Sequence, residues 1–123
     1  MTGGRLEYYG DIVLDLPLPT SVNGVWNMGR NGVYKSPHYK RWQAQASKAI
    51  YDELPGHKAI AGRYDLEIII PDVTRCDADN VLKAASDILE LCEVVSNDRL
   101  MRNLLVQRGA VPPERCRITV IEI

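Results

Sequence analysis

The sequence lacks the segments that direct a protein into or across a membrane. None of its apolar runs approaches the length of about 20 residues that a membrane-spanning helix needs. The N-terminus reads MTGGRLEYYG and lacks the basic segment followed by an apolar segment that is typical of a signal peptide. We therefore expect an intracellular, cytoplasmic protein.

Cysteine and histidine are scarce, and their spacing suits neither zinc nor redox chemistry. The three cysteines, Cys76, Cys92 and Cys116, form no CxxC pair, and their odd number fits free thiols better than disulfides. His38 and His57 lie far apart, and neither has a partner at metal-ligand spacing. The sequence also contains no GxSxG and no glycine-rich phosphate loop, so nothing indicates a small-molecule cofactor.

Acidic residues are absent from one stretch of the chain and concentrated in another. Between Asp15 and Asp52 there is no acid, but five basic residues occur: Arg30, Lys35, Lys40, Arg41 and Lys48. From Asp72 to Asp98 there are seven acids and two basic residues, a net charge of −5, which leaves +4 for the rest of a chain of net charge −1. Such a distribution is typical of a metal-using enzyme with a polyanionic substrate, although chance clustering of surface charge would look the same.

Hydrophobic periodicity predicts one mixed α/β (α+β) domain over residues 1–123, with a mixed sheet and two main helices. Strands are predicted at 6–16, 62–71, 100–108 and 115–123, with 62–71 central in the sheet. Asn31-Gly32 between short apolar stretches indicates a hairpin turn. Helices are predicted at 37–54, after Ser36-Pro37, and at 79–93. A hydrophobic content of 46% is enough for one core.

The segment Asp77-Ala78-Asp79-Asn80-Val81-Leu82-Lys83 is the strongest candidate for a functional site. In an extended chain, residues two apart project to the same side, so Asp77 and Asp79 can face one ion. Carboxylate ligands without His or Cys indicate Mg²⁺ or Mn²⁺. Lys83 lies one helical turn after Asp79 and hence on the same face. Asp98 could supply a third carboxylate from the next connection.

Each of these residues also has an ordinary structural interpretation. An aspartate before a helix is most often an N-cap, a lysine on a helix is usually solvated, and Asn97-Asp98 alone would indicate a turn. Asp87, two turns after Asp79, could simply pair with Lys83. The combination favours a metal site, because a cap needs only one carboxylate.

These residues resemble the RusA family of Holliday-junction resolvases, from about Leu14 to the C-terminus. The segment 77–83 resembles the family's Asp-x-Asp-Asn-x-x-Lys motif, and Asn97-Asp98-Arg99 corresponds to its Asp-Asp turn. Pro19-Thr20-Ser21-Val22-Asn23 is similar to Pro-Pro-Ser-x-Asn, and Tyr34-Lys35-Ser36-Pro37 with Tyr39 and Trp42 adds a fourth piece. The four pieces occur in the family's order.

The resemblance implies a homodimer, bacterial or phage in origin, that binds branched DNA and cuts four-way junctions by two symmetric nicks with Mg²⁺ in recombination and repair. It also implies that Asp77, Asp79 and Asp98 are the catalytic, metal-binding carboxylates and that Lys83 is an essential basic partner. A four-way junction is approximately two-fold symmetric, so a symmetric dimer can place one site on each of two opposed strands.

Basic residues outside this site are candidates for phosphate contacts, which position DNA without reading its sequence. Those of the acid-free stretch are Arg30, Lys35, Lys40, Arg41 and Lys48; those near the proposed chemistry are Arg75, Arg99 and Arg102. Tyr34, Tyr39 and Trp42 could stack on unpaired bases or could pack the first helix against the hairpin.

The chain departs from the family pattern at four positions. Cys76 stands where the family often has arginine, Gly24 where a basic residue can occur, Thr20 in place of the second proline, and Asn97 in place of the first acid of the later pair. Two alternatives to junction resolution therefore stay open. One is a junction-binding protein without catalysis, and the other is a nuclease that prefers flaps or replication forks.

Overall fold

The computed structural model describes residues 11–19, 26–29, 32–35, 37–72 and 78–123. Within them, no helix is long and apolar enough to cross a membrane. The strands and helices follow the predicted order, and the mixed α/β fold is confirmed. In sequence they are β1 (Ile12–Pro17), β2 (Trp26–Gly29), β3 (Gly32–Lys35), α1 (Pro37–Glu53), β4 (Tyr64–Pro71), α2 (Ala78–Leu91), a 3₁₀ turn (Asp98–Leu100), β5 (Met101–Gly109) and β6 (Arg115–Glu122).

Two sheets are formed by the described strands. The main sheet has the order β1-β6-β4-β5, in which β5 runs parallel to β4 and the other pairs are antiparallel. β4 and β5 are parallel because α2 carries the chain back between them, as a crossover connection does. β2 and β3 pair antiparallel, with Gly29 opposite Gly32, which confirms the predicted hairpin. Residues 6–10 of the predicted first strand lie outside the described part.

The core lies between the main sheet and the two helices. On β4, Leu66, Ile68 and Ile70 are buried, and they alternate with half-buried side chains on the other face of the sheet. Leu14, Leu16, Ile118 and Val120 extend this buried face across β1 and β6, and both helices cover it. β4 is therefore the central strand that its sequence pattern predicts. The Trp42 indole N–H donates to the Pro17 carbonyl oxygen at 2.7 Å and attaches α1 to the end of β1.

The C-terminus of α2 has an ordered cap. The Leu89 carbonyl accepts hydrogen bonds from the N–H groups of Val94 and Val95 at 2.8 and 3.3 Å. Glu93, between them and the helix, adopts a φ of 57°, in the left-handed region. This cap directs the chain from α2 towards the start of β4, where Val95 pairs with Ile60.

Glu93→Gly is expected to raise the free energy of unfolding by about 0.5 kcal/mol. Glycine avoids the cost of about 1 kcal/mol that a Cβ carries at positive φ, although its greater freedom in the unfolded chain offsets part of the gain. Urea unfolding of Glu93→Gly and Glu93→Ala measures the effect, because both changes remove the same exposed charge. A glycine variant no more stable than the alanine variant would contradict this prediction.

Candidate functional site

The exposed face of α2 carries Asp79 and Lys83, two polar residues of the Asp-x-Asp-Asn-x-x-Lys segment. Asp79 and Lys83 are exposed and stand one helical turn apart, and Asp87, half-buried, follows one turn later. The opposite face is buried in the core and includes Val81 and Ala85. α2 therefore presents the Asp79 and Lys83 side chains together, as the four-residue spacing predicts. Arg75, Cys76 and Asp77 lie outside the described residues.

Asp98 is exposed in the 3₁₀ turn that leads into β5. Asn97 caps this turn, since its side-chain oxygen accepts the Arg99 backbone N–H at 2.9 Å. The turn is attached to the start of β4: the Ser96 N–H donates to the Ile60 carbonyl at 3.0 Å, and Met101 pairs with Tyr64. Asp98 therefore lies at the end of the sheet where β4 and β5 begin.

Tyr64 lies near Asp98 and near the last turn of α2. Burial raises the pKa of the Tyr64 hydroxyl, and the nearby carboxylates of Asp98 and Glu90 raise this pKa further. Asp98 and Glu90 are thus both close to the Tyr64 hydroxyl. Glu90 belongs to the last turn of α2. Asp79 belongs to the first turn of the same helix, and the rise of 1.5 Å per residue places it about 16 Å from Glu90 along the axis.

One protomer does not bring Asp79 and Asp98 together. Mg²⁺ binds oxygen at about 2.1 Å, so two carboxylate oxygens on one ion are at most about 4 Å apart. Opposite ends of α2 are too far apart for that. Within residues 11–19, 37–72 and 78–123, no three His, Cys, Asp or Glu side chains form a cluster that could hold a metal ion. The metal site predicted at Asp77, Asp79 and Asp98 stays a prediction, and Asp77 lies outside the described residues.

α1 contacts α2 through Tyr39, two helical turns after Asp79. The buried Tyr39 hydroxyl donates to an Asp87 carboxylate oxygen at 3.5 Å. Burial first, and then the charge of Asp87, raise the pKa of Tyr39 to about 12, so its hydroxyl stays protonated as the donor at neutral pH. Tyr39 also stacks on Trp42 at a ring-centroid distance of 5.7 Å. These two aromatic residues therefore pack within the protein rather than offering their rings to bases.

The basic candidates fall into three groups. Lys40 and Arg41 are exposed on the first turns of α1, beside Tyr39, and Arg41 contacts the His38 ring nitrogen Nδ1 at 2.6 Å. Lys48, further along α1, forms an exposed ion pair with Asp52 at 2.9 Å. The second group, Arg99 and Arg102, is exposed and close in sequence to Asp98. The third group is not described: Arg30 and Arg75 lie outside the described residues, as does the side chain of Lys35.

Three residues around the site were not assigned a role from the sequence. Tyr64 lies near both Asp98 and Glu90, but nothing in the linear sequence connects a strand residue to a helix residue so far along the chain. Asn80 is only 3% exposed although its side chain is polar. Its place on the apolar face of α2, directly after Asp79, is the one signal that could have drawn attention to it.

Comparisons with known proteins identify the family of this chain. A family model described as "Endodeoxyribonuclease RusA" matches residues 16–121, a range that contains Asp77, Asp79, Lys83 and Asp98. The "Crossover junction endodeoxyribonuclease RusA" of Aquifex aeolicus (strain VF5) is 30% identical over 87 residues, which are 70% of this chain and 68% of the relative. The protein is thus a nuclease, an enzyme that hydrolyses phosphodiester bonds in DNA. The chain belongs to the RusA family of endodeoxyribonucleases, whose members generally depend on a metal ion.

Proposed function

We propose that this nuclease resolves four-way DNA junctions by paired symmetric nicks, with Mg²⁺ as its metal, in DNA recombination and repair. The observation that carries the proposal is the joint exposure of Asp79 and Lys83 on one face of the first turns of α2, within the range matched by the family model. A carboxylate one turn from a lysine provides a metal ligand and a cation beside the same phosphate.

The donor set fits a hard divalent cation. Asp77, Asp79 and Asp98 would hold Mg²⁺, or Mn²⁺ in its place, since all three offer carboxylate oxygens. When bound, the ion lowers the pKa of a coordinated water and neutralises charge on the scissile phosphate. Lys83 holds its ammonium group next to that phosphate, where it stabilises the negative charge that develops as water attacks phosphorus.

A homodimer completes each site in this proposal. Because Asp79 and Asp98 lie towards opposite ends of α2, each site takes Asp77, Asp79 and Lys83 from one protomer and Asp98 from the other. Two such sites related by a two-fold axis match a substrate with approximate two-fold symmetry. The nicks then fall on two opposed strands of the junction.

The exposed basic residues of α1 extend the binding surface for DNA. Tyr39 contacts Asp87, which lies about 12 Å along α2 from Asp79, and the exposed Lys40 and Arg41 follow Tyr39 in α1. Contacts from these side chains, and from Arg99 beside Asp98, would be to phosphates and independent of sequence. Junction affinity is accordingly expected to fall steeply as salt concentration rises.

The test uses a synthetic four-way junction and an unbranched duplex of the same arm sequence, each with Mg²⁺. Paired nicks placed symmetrically about the branch point, with the duplex left intact, are the expected result. Replication-fork and flap substrates are cut in parallel. Faster cutting of forks or flaps would identify a different branched-DNA nuclease, and binding without cutting in Mg²⁺ or Mn²⁺ would identify a junction-binding protein.

A further inference from the structure

His57 connects the ends of the two helices. Its ring nitrogen Nδ1 lies 2.8 Å from the carbonyl oxygen of Leu54, directly after α1, and its Nε2 lies 3.0 Å from that of Cys92, directly after α2. A carbonyl oxygen only accepts hydrogen bonds, so the ring must be the donor in either contact. A neutral ring has one N–H and makes one of these bonds at a time, whereas a doubly protonated ring makes both.

A tight turn places His57 against the end of α2. The turn is Leu54-Pro55-Gly56-His57, in which the His57 backbone N–H donates to the Leu54 carbonyl oxygen at 3.2 Å. Gly56 has a φ of 68°, in the left-handed region that glycine adopts without strain. Proline followed by such a glycine is the pattern of a type II turn. The Tyr51 ring also lies beside the His57 ring, at a centroid distance of 5.7 Å, so backbone and ring contacts together hold the imidazole in place.

A second set of hydrogen bonds joins the same two parts of the chain. The Ile60 N–H donates to the Val94 carbonyl oxygen at 2.9 Å, and the Ser96 N–H donates to the Ile60 carbonyl oxygen at 3.0 Å. The segment after α1 therefore contacts the segment after α2 through the His57 ring and through the backbone of Ile60. Cys92 is only 1% exposed, so little water can replace the ring as the donor to its carbonyl.

The segment after α2 ends in the turn that carries Asp98. Ser96 lies two residues before Asp98, and the Asn97 side chain between them accepts the Arg99 N–H at 2.9 Å. Residues 96–99 are all exposed, so this turn has little buried packing to hold it. Its position depends on the hydrogen bonds of the segment that precedes it and on the strand that follows it.

We propose that His57 is a positioning residue for Asp98: by holding the Cys92 carbonyl, its ring fixes the segment that orients the Asp98 carboxylate. The proposal rests on the proposed function in one respect, which is that Asp98 is a catalytic carboxylate. His57 acts through Asp98 and needs no contact with DNA or metal. A catalytic group displaced by about 1 Å can lower a rate about a hundredfold, so one hydrogen bond at the base of the turn is sufficient.

Asparagine and glutamine separate the two contacts of the ring. The amide nitrogen of an asparagine side chain reaches about as far as Nδ1 of histidine, and that of glutamine about as far as Nε2. His57→Gln therefore keeps a donor for the Cys92 carbonyl, whereas His57→Asn keeps one only for the Leu54 carbonyl. The two variants form a matched pair, because both replace the imidazole with a neutral amide and they differ by one methylene.

Hydrogen exchange of the full-length protein, without DNA or metal, tests the positioning directly. In His57→Asn, the N–H groups of Ser96 and Arg99 are expected to exchange about tenfold faster than in the parent protein, and in His57→Gln within about twofold of the parent. The N–H groups of the central strand β4 should exchange at the parent rate in both variants, which shows that the fold is intact. Unchanged exchange in His57→Asn, or equal acceleration in both variants, would overturn the proposal.

Junction cleavage provides the functional measurement. In single-turnover reactions with Mg²⁺, His57→Asn is expected to cut at least about tenfold more slowly than the parent, and His57→Gln within about threefold of it. Affinity for the junction in a metal-free band-shift assay should stay within about twofold in both variants, because basic side chains elsewhere bind the phosphates. General loss of structure would lower affinity together with rate. A His57→Asn protein that cuts as fast as the parent would contradict the positioning role.

Failure of this proposal and failure of the proposed function give different results. If exchange at Ser96 and Arg99 responds to His57→Asn but not to His57→Gln, and the parent protein does not cut junctions, the positioning of the turn stands and junction resolution fails. If the parent protein cuts junctions while His57→Asn changes neither exchange nor cleavage, junction resolution stands and His57 does not position Asp98.

Discussion

Asp79→Asn is expected to lower the rate of junction cleavage by at least about a thousandfold, since losing a metal-binding carboxylate removes several kcal/mol of transition-state stabilisation and each 1.4 kcal/mol is tenfold in rate. Asparagine has nearly the same shape as aspartate and serves equally well at a helix start, so the fold of α2 should be unaffected. Junction binding is expected to remain, because phosphate contacts come from basic side chains elsewhere.

Single-turnover cleavage and a band-shift assay without metal measure the two effects separately. Asp52→Asn is the matched control, because Asp52 is an exposed aspartate on α1 whose ion pair with Lys48 is solvated and weak. Its cleavage rate should equal that of the parent protein. If Asp79→Asn cuts as fast as the parent, the metal-site interpretation of this helix start is wrong.

A mixture of Asp79→Asn and Asp98→Asn proteins is expected to regain cleavage that neither variant shows alone. In a heterodimer of the two, one site combines both changes, while the other combines an intact Asp79 with the partner's intact Asp98. Random exchange of protomers makes half of the dimers mixed, so about a quarter of the sites become functional. Each mixed dimer has one working site and should produce single nicks rather than resolved junctions.

The control mixture combines Asp79→Asn with Lys83→Ala. Both changes affect the same end of α2, so every site of this heterodimer carries one of them and no activity should return. Differently tagged protomers confirm that exchange has occurred. If exchange occurs and the Asp79→Asn and Asp98→Asn mixture stays inactive, the three carboxylates do not come from two protomers.

Much of the fold could be predicted because local patterns determine it. The alternation in β4 identifies a strand packed in the centre of a sheet, and the apolar positions of α2 identify a helix with one buried face. Asn31-Gly32 marks the hairpin between β2 and β3. In each case the signal lies within a few residues of the structure that it specifies.

The site was harder to predict because its parts are far apart in the chain. The grouping of Asp79 with Lys83 follows from helical spacing alone. The position of Asp98 depends on where α2 ends and how its cap joins β4, which no local pattern specifies. The proximity of Asp98 to Tyr64 is likewise a property of the folded chain. The proposed completion of the site by a second copy involves symmetry, which a single sequence does not contain.

The length of α2 has a consequence for the geometry of cutting. In the proposed dimer, each protomer gives Asp79 to one site and Asp98 to the other, so the spacing between the two scissile bonds is built into a single chain. α2 then serves as a molecular ruler, and one added helical turn of about 5.4 Å would shift the two cuts relative to each other. Relatives with a longer or shorter α2 should therefore leave different offsets between paired nicks.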